Sequence, residues 1–210
     1  MRFLSIIGVL LLFSCGSDKA PTSKTSWGHL DYARSALLLK VPPNGDLGIC
    51  GPYRAEVTTA IQTWAEVIGR RHYISFDANC DRALHIKTEA WSQAQICRQF
   101  NLPSNCNIVG FAGGNQLVLR KDFPRNNNLV LHEVGHFWGM CDQYADSSQP
   151  GGWLSSCSKS YRSSARHPES IMGAATTGRT ALTPDDIAGI KAMALRTDIP
   201  LNAAWNRVVK

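Results

Sequence analysis

Residues 127–142 read Asn127-Asn128-Leu129-Val130-Leu131-His132-Glu133-Val134-Gly135-His136-Phe137-Trp138-Gly139-Met140-Cys141-Asp142. Asn126, Asn127 and Asn128 offer N-caps for a helix that begins with Leu129-Val130-Leu131. On such a helix His132 and His136 share one face, about 5–6 Å apart at Cβ, and can hold one metal ion between them. Glu133 lies beside them, placed to take a proton from a water on that metal. The plain alternative is a pair of solvated histidines, and the residues that follow speak against it. A zinc ion that does chemistry takes a third protein ligand and keeps a fourth position open. A continuous helix would carry later residues away, so the chain must turn after His136. Gly139 tolerates the positive φ of such a turn, and Asp142 can then swing back to the metal. Its rivals as third ligand, in the long loop beyond, are Tyr144, Asp146 and His167.

Elsewhere the pattern is helix, sheet, helix, long loop, helix. Ala36-Leu37-Leu38-Leu39-Lys40-Val41 predicts a first strand, stopped by Pro42-Pro43-Asn44-Gly45. Val57, Ile61, Trp64, Val67 and Ile68 fall at helical spacing and predict an amphipathic helix over 53–69, ended by Gly69. Strand-like runs follow at 72–76, 83–87 and 116–120, with a looser stretch at 91–115. Near the end, Thr183 is an N-cap with Pro184 at the first helical position. Asp185 and Asp186 then favour the helix dipole, and Ile187, Ile190 and Leu195 supply the apolar face.

The first residues form a secretory signal: Met1-Arg2, then an apolar run from Phe3 to Phe13, too short for a spanning helix. Leu12-Phe13-Ser14-Cys15 resembles a bacterial lipobox, which predicts cleavage before Cys15 and lipidation of its thiol. Phe13 departs from the small residues usual there. Residues 1–14 are then the signal peptide, 15–34 the lipidated cysteine and tether, and 35–210 a single folded domain. Gly16 is not the Asp associated with inner-membrane retention, so an outer-membrane lipoprotein, periplasmic or surface-facing, is the expectation. Losing Arg2 and no acid takes the net charge from +6 to +5. With 44% hydrophobic and 18% charged residues the chain is a globular protein rather than a disordered one. Its basic residues are scattered, without the dense block that would argue for nucleic acid. A monomer is the default.

Setting Cys15 aside leaves Cys50, Cys80, Cys97, Cys106, Cys141 and Cys157, an even set that in an exported chain reads as three disulfides. Sequence cannot choose among the pairings. Cys50–Cys80, Cys97–Cys106 and Cys141–Cys157 are preferred because each closes a modest local loop. Asp77, Asn79 and Asp81 alternate like the start of a calcium loop. Arg82 stands where that loop needs Gly and no Glu falls twelfth, so structural calcium is unsupported and a polar turn is expected.

HEVGHFWGMCD resembles the extended metzincin zinc motif, HExxHxxGxxH/D, in the aspartate variant found in snapalysin-like peptidases. Ser170-Ile171-Met172-Gly173 resembles the Met-turn of that clan, and Leu182 to Ile190 resembles the start of the matrixin C-terminal helix. The resemblance covers roughly residues 35–197. It implies an α+β zincin fold: a twisted mixed sheet, a backing helix, an active-site helix, a Met-turn and a C-terminal helix. It implies His132, His136 and Asp142 as ligands of one catalytic Zn²⁺, Glu133 as general base and Met172 as the hydrophobic floor. It also implies that a substrate peptide adds as a strand near 116–120 or the loop just before it, with 173–180 walling a pocket. No tyrosine follows the Met-turn, and no cysteine-switch sequence precedes the domain. The function implied is a secreted, lipid-anchored zinc endopeptidase acting on protein or peptide substrates. Its alternatives are a non-catalytic surface-binding lipoprotein on a zincin fold and a zinc hydrolase of cell-wall amide bonds.

Overall fold

The computed structural model describes residues 36–39, 41, 45–82, 84–122, 127–142, 170–173 and 180–196. Cys15, Cys157, Tyr144, Asp146, His167 and the segment 174–179 lie outside them. Within the described residues the elements are β1 (Asp46–Cys50), α1 (Arg54–Val67), β2 (Tyr73–Phe76), β3 (His85–Trp91), α2 (Gln93–Gln99), β4 (Gly110–Gly113), β5 (Gln116–Arg120), α3 (Asn127–Phe137) and α4 (Pro184–Ala194).

The strands form one mixed sheet in the order β2-β1-β3-β5-β4. β1 pairs in parallel with β2 and β3, β3 in parallel with β5, and β4 runs antiparallel to β5. Parallel neighbours need crossovers, and α1 supplies the one from β1 to β2. It buries Val57, Ala60, Ile61, Trp64 and Ala65 as a stripe at helical spacing. That stripe packs on α3, and the Trp64 indole N–H donates to the Leu131 carbonyl at 2.9 Å. Val134, Phe137 and Trp138 of α3 and its terminal turn are fully buried in the same core. The α+β class and the mixed sheet agree with the sequence reading.

Three expectations change. Residues 36–39 and 41 of the apolar run are not in a strand; among the described residues the first strand is β1. Ala36 to Leu39 form a turn buried against the end of α3, with Leu38 N–H donating to the Phe137 carbonyl at 2.9 Å. An apolar run shows burial, not conformation. The stretch 91–115 is more ordered than its composition suggests, because it contains α2 and β4. Ser92 and Gln95 close a capping box that starts α2. Finally, 116–120 is not the edge of the sheet. β5 is flanked by β3 and β4, so among the described residues the edge falls on the segment before it, β4.

Two disulfides join Cys50 to Cys80 and Cys97 to Cys106, with Cα atoms 5.4 and 5.7 Å apart. Cys141 is also disulfide-bonded; its expected partner, Cys157, lies outside the described residues. Such cross-links suit an extracellular or periplasmic protein. Among the described residues no helix is long and apolar enough to cross a membrane. The Asp77 carboxylate is turned onto its own loop, accepting from Arg82 N–H at 2.7 Å and Asn79 N–H at 3.1 Å. The Arg82 bond leads in holding its pKa below the usual range. This is a polar turn.

Candidate metal centre

α3 carries His132 and His136 one turn apart on a face buried in the domain, their rings perpendicular with centroids 5.1 Å apart. One ligand atom from each of His132, Glu133 and His136 falls within 4.8 Å of the others, so the cluster could hold a metal ion.

The helix ends as Gly139 predicts. Met140 N–H reaches back to the Gly135 carbonyl and Gly139 N–H to that of His136, both at 3.0 Å, the paired bonds of a Schellman turn. Gly139 has φ +85°, and a Cβ there would lie 3.1 Å from a Leu39 methyl. The turn brings Asp142 back, its Oδ1 3.0 Å from His132 Nε2 and 3.3 Å from His136 Nε2.

Backbone carbonyls fix both rings. His132 Nδ1 lies 2.9 Å from the Ile171 carbonyl and His136 Nδ1 2.8 Å from that of Met140. A carbonyl only accepts, so each Nδ1 carries a hydrogen and a neutral ring turns its Nε2 lone pair to Asp142. Two lone pairs and a carboxylate oxygen then converge in a buried place, where only a cation reconciles them. The spacing suits a metal: on a tetrahedron with bonds of about 2.0–2.1 Å, neighbouring ligand atoms stand about 3.3–3.4 Å apart. These residues fit zinc.

Burial would depress the His136 imidazole, but the Asp142 charge prevails and lifts it to about 9. His132 is raised in the same way, against its burial, by the hydrogen bond and charge of Asp142. Asp142, which burial alone would raise, is driven well below the carboxylate range, chiefly by His136. Glu133 is raised: its burial outweighs the pull of the two histidines. Its Oε2 has no hydrogen-bond partner among the described residues, and a Cβ on Gly110 would lie 3.1 Å from its Oε1. The Ala112 backbone works the other way and lowers the Glu133 pKa, as a lesser influence.

Met172 lies fully buried directly beneath α3. A Cβ on Gly135 would fall 2.3 Å from its sulfur, so the absence of a side chain between the two histidines admits Met172. Sequence reasoning missed Asp186 in this role, assigning it only to the helix dipole. It is buried and accepts from Ser170 Oγ, Ile171 N–H, Thr183 N–H and Thr183 Oγ1. Asp186 therefore caps α4 and also holds the turn whose Ile171 carbonyl orients His132. The Thr183-Pro-Asp-Asp186 capping-box spacing was the available signal. His72 and His85 stand apart from the cluster; His85 bridges the Arg82 carbonyl and the Asn115 amide.

Fold and site together define a mixed α+β domain with a buried His-Glu-His cluster able to hold a metal ion. No family model and no curated protein matches the sequence. Two solved structures are similar. "Structure of myroilysin" shares 16% identity at TM-score 0.40, covering 80% of this chain and 99% of that one. "Crystal structure of myroilysin" shares 16% at TM-score 0.38, covering 72% and 82%. A likeness this slight carries no functional argument, and the site is judged on its own geometry.

Proposed function

We propose that this chain is a zinc-dependent endopeptidase of the metzincin type, exported and held at the cell envelope by a lipid on Cys15. One observation carries the reading. The Nε2 atoms of His132 and His136 converge on Asp142 Oδ1 at 3.0 and 3.3 Å, with Glu133 beside them. His132, His136 and Asp142 would hold the zinc, and Glu133 would be the base. Met172 would be the floor of the site and the 170–173 turn the Met-turn. Zinc would supply Lewis-acid polarisation of the scissile carbonyl and a lowered pKa for the attacking water.

The chain's own residues do the rest. The Ile171 and Met140 carbonyls hold the two imidazoles in the ligating tautomer. The Glu133 carboxylate takes a proton from the attacking water and passes it to the leaving amine. Its burial makes it a stronger base than an exposed glutamate, which suits that exchange. β4 passes beside this carboxylate, so a protein or peptide substrate added along that edge would bring its backbone to Glu133.

The test compares the mature protein with Glu133→Ala and Glu133→Gln for metal content and cleavage of a quenched peptide library. One equivalent of zinc in all three, with chelator-sensitive cleavage falling at least about 10²-fold in both variants, is the expected result. Equal cleavage by a variant would remove Glu133 as the base. Zinc in all with cleavage by none would point to a binding module. Amide or amino-sugar products released from cell-wall material would point to a cell-wall hydrolase.

A further inference from the structure

The edge strand β4 reads Gly110-Phe111-Ala112-Gly113. Arg120 N–H bonds to the Val109 carbonyl at 2.8 Å, and Phe111 pairs with Val118. In the alternating antiparallel ladder Phe111 and Gly113 therefore turn their backbone groups to β5, and Gly110 and Ala112 turn theirs outward. Side chains alternate too: Ala112 joins the main core, so Phe111 lies on the opposite face.

On that opposite face Phe111 is part of an aromatic cluster. Its ring meets Trp91 edge-on at 5.7 Å and Phe100 at 5.1 Å. The Trp91 indole is fixed by donation to Glu89 at 2.5 Å, and Glu89 is paired with Lys87. An open depression of ≈ 220 Å³ is lined by Trp91 and by Gln95, Arg98 and Gln99 of α2. A Cβ on Gly113, the next residue on this face, would meet nothing within 4 Å, so the shelf beside Phe111 is open.

We propose that this face of β4 is a specificity subsite: a substrate strand laid along Gly110–Gly113 sets a large aromatic side chain against Phe111 and Trp91. The inference rests on the endopeptidase reading. A residue directly across from Phe111 projects to the same face as Phe111, within reach of its ring. The quadrupoles of Phe111 and Trp91 favour an incoming aromatic over an aliphatic group, and the Arg98 guanidinium can close over its face.

The test is a positional scan of cleavable peptides with the wild type, Phe111→Ala and the more conservative Phe111→Leu. Binding of the same peptides to Glu133→Gln, with and without Phe111→Ala, reads recognition without turnover. We expect one position at which Phe exceeds Ala by about tenfold or more in kcat/KM. Phe111→Ala brings that ratio to near one, Phe111→Leu leaves it intermediate, and the dissociation constants follow the same order. Cleavage with no aromatic preference, or a preference unchanged in both variants at unchanged zinc content, overturns the subsite and leaves the peptidase reading standing. No cleavage by the wild type and no peptide bound by Glu133→Gln would overturn both.

Discussion

Around α3 the ligand rings are oriented by hydrogen bonds to buried backbone groups, with a disulfide at Cys141 only beyond the helix end, whereas β1 and α2 are themselves tied by disulfides. On the first side the Ile171 and Met140 carbonyls orient the histidines, and Asp186 holds the turn that carries Ile171. On the second, Cys50–Cys80 ties the end of β1 to the loop after β2, and Cys97–Cys106 ties α2 to the loop before β4. The two devices do different work. A disulfide restricts the unfolded chain and is indifferent to tenths of an ångström elsewhere. A hydrogen bond to a ligating imidazole fixes a tautomer and a ring orientation, which metal binding needs.

Asp186→Asn should break this contrast most severely. It puts an amide among donors that need a carboxylate, for an expected loss of roughly 3–5 kcal/mol in denaturant unfolding. Zinc affinity should fall about 10–100-fold, because the turn orienting His132 loosens. A chelator competition measures it, and stability lost without affinity would show that the brace stops short of His132. The double replacement Cys97→Ser with Cys106→Ser should cost about 3 kcal/mol for a loop of this length and leave zinc affinity unchanged. Weaker zinc binding there would erase the distinction between the two sides.

The smallest effect concerns His72, where the α3 side lacks its usual hydrogen bonding. Its ring packs on Trp138 at 5.5 Å, and neither ring nitrogen has a hydrogen-bond partner among the described residues. Burial, then the Arg70 charge, lowers its pKa. The unfolded chain thus binds the proton more readily, so this residue costs stability as pH falls below about 6.5 and costs nothing above it. Urea unfolding of wild type and His72→Phe at pH 7.5 and pH 5 should show a shallower acid loss in the variant. Equal losses would relieve His72 of any part in it.

How far the sequence could be read follows from the range of the forces involved. The turn at Gly139 and the start of α4 depend on residues a few positions apart, and both were legible. β5 matched its predicted run, and the apolar stripe of α1 announced itself by its spacing. What could not be read depends on distant partners. Leu37 to Leu39 look like a strand but find their burial against the end of α3, almost a hundred residues on. Leu47 and Ile49 do form a strand, although Gly48 between them weakens the signal. Phe111 gave no sign of its place, because an edge strand is defined by which neighbour it lacks.

The fit of Met172 against Gly135 has a consequence for how this sequence can change. The methionine sulfur occupies the space where a side chain at 135 would begin. Any replacement of Gly135 must therefore evict Met172 or push the backbone carrying both histidines. Likewise, trimming Met172 would open a void directly under them. The two positions, 37 residues apart along the chain, cannot drift independently. A second route to the same architecture would have to alter both at once, and a descendant altered at either should carry its repair at the other.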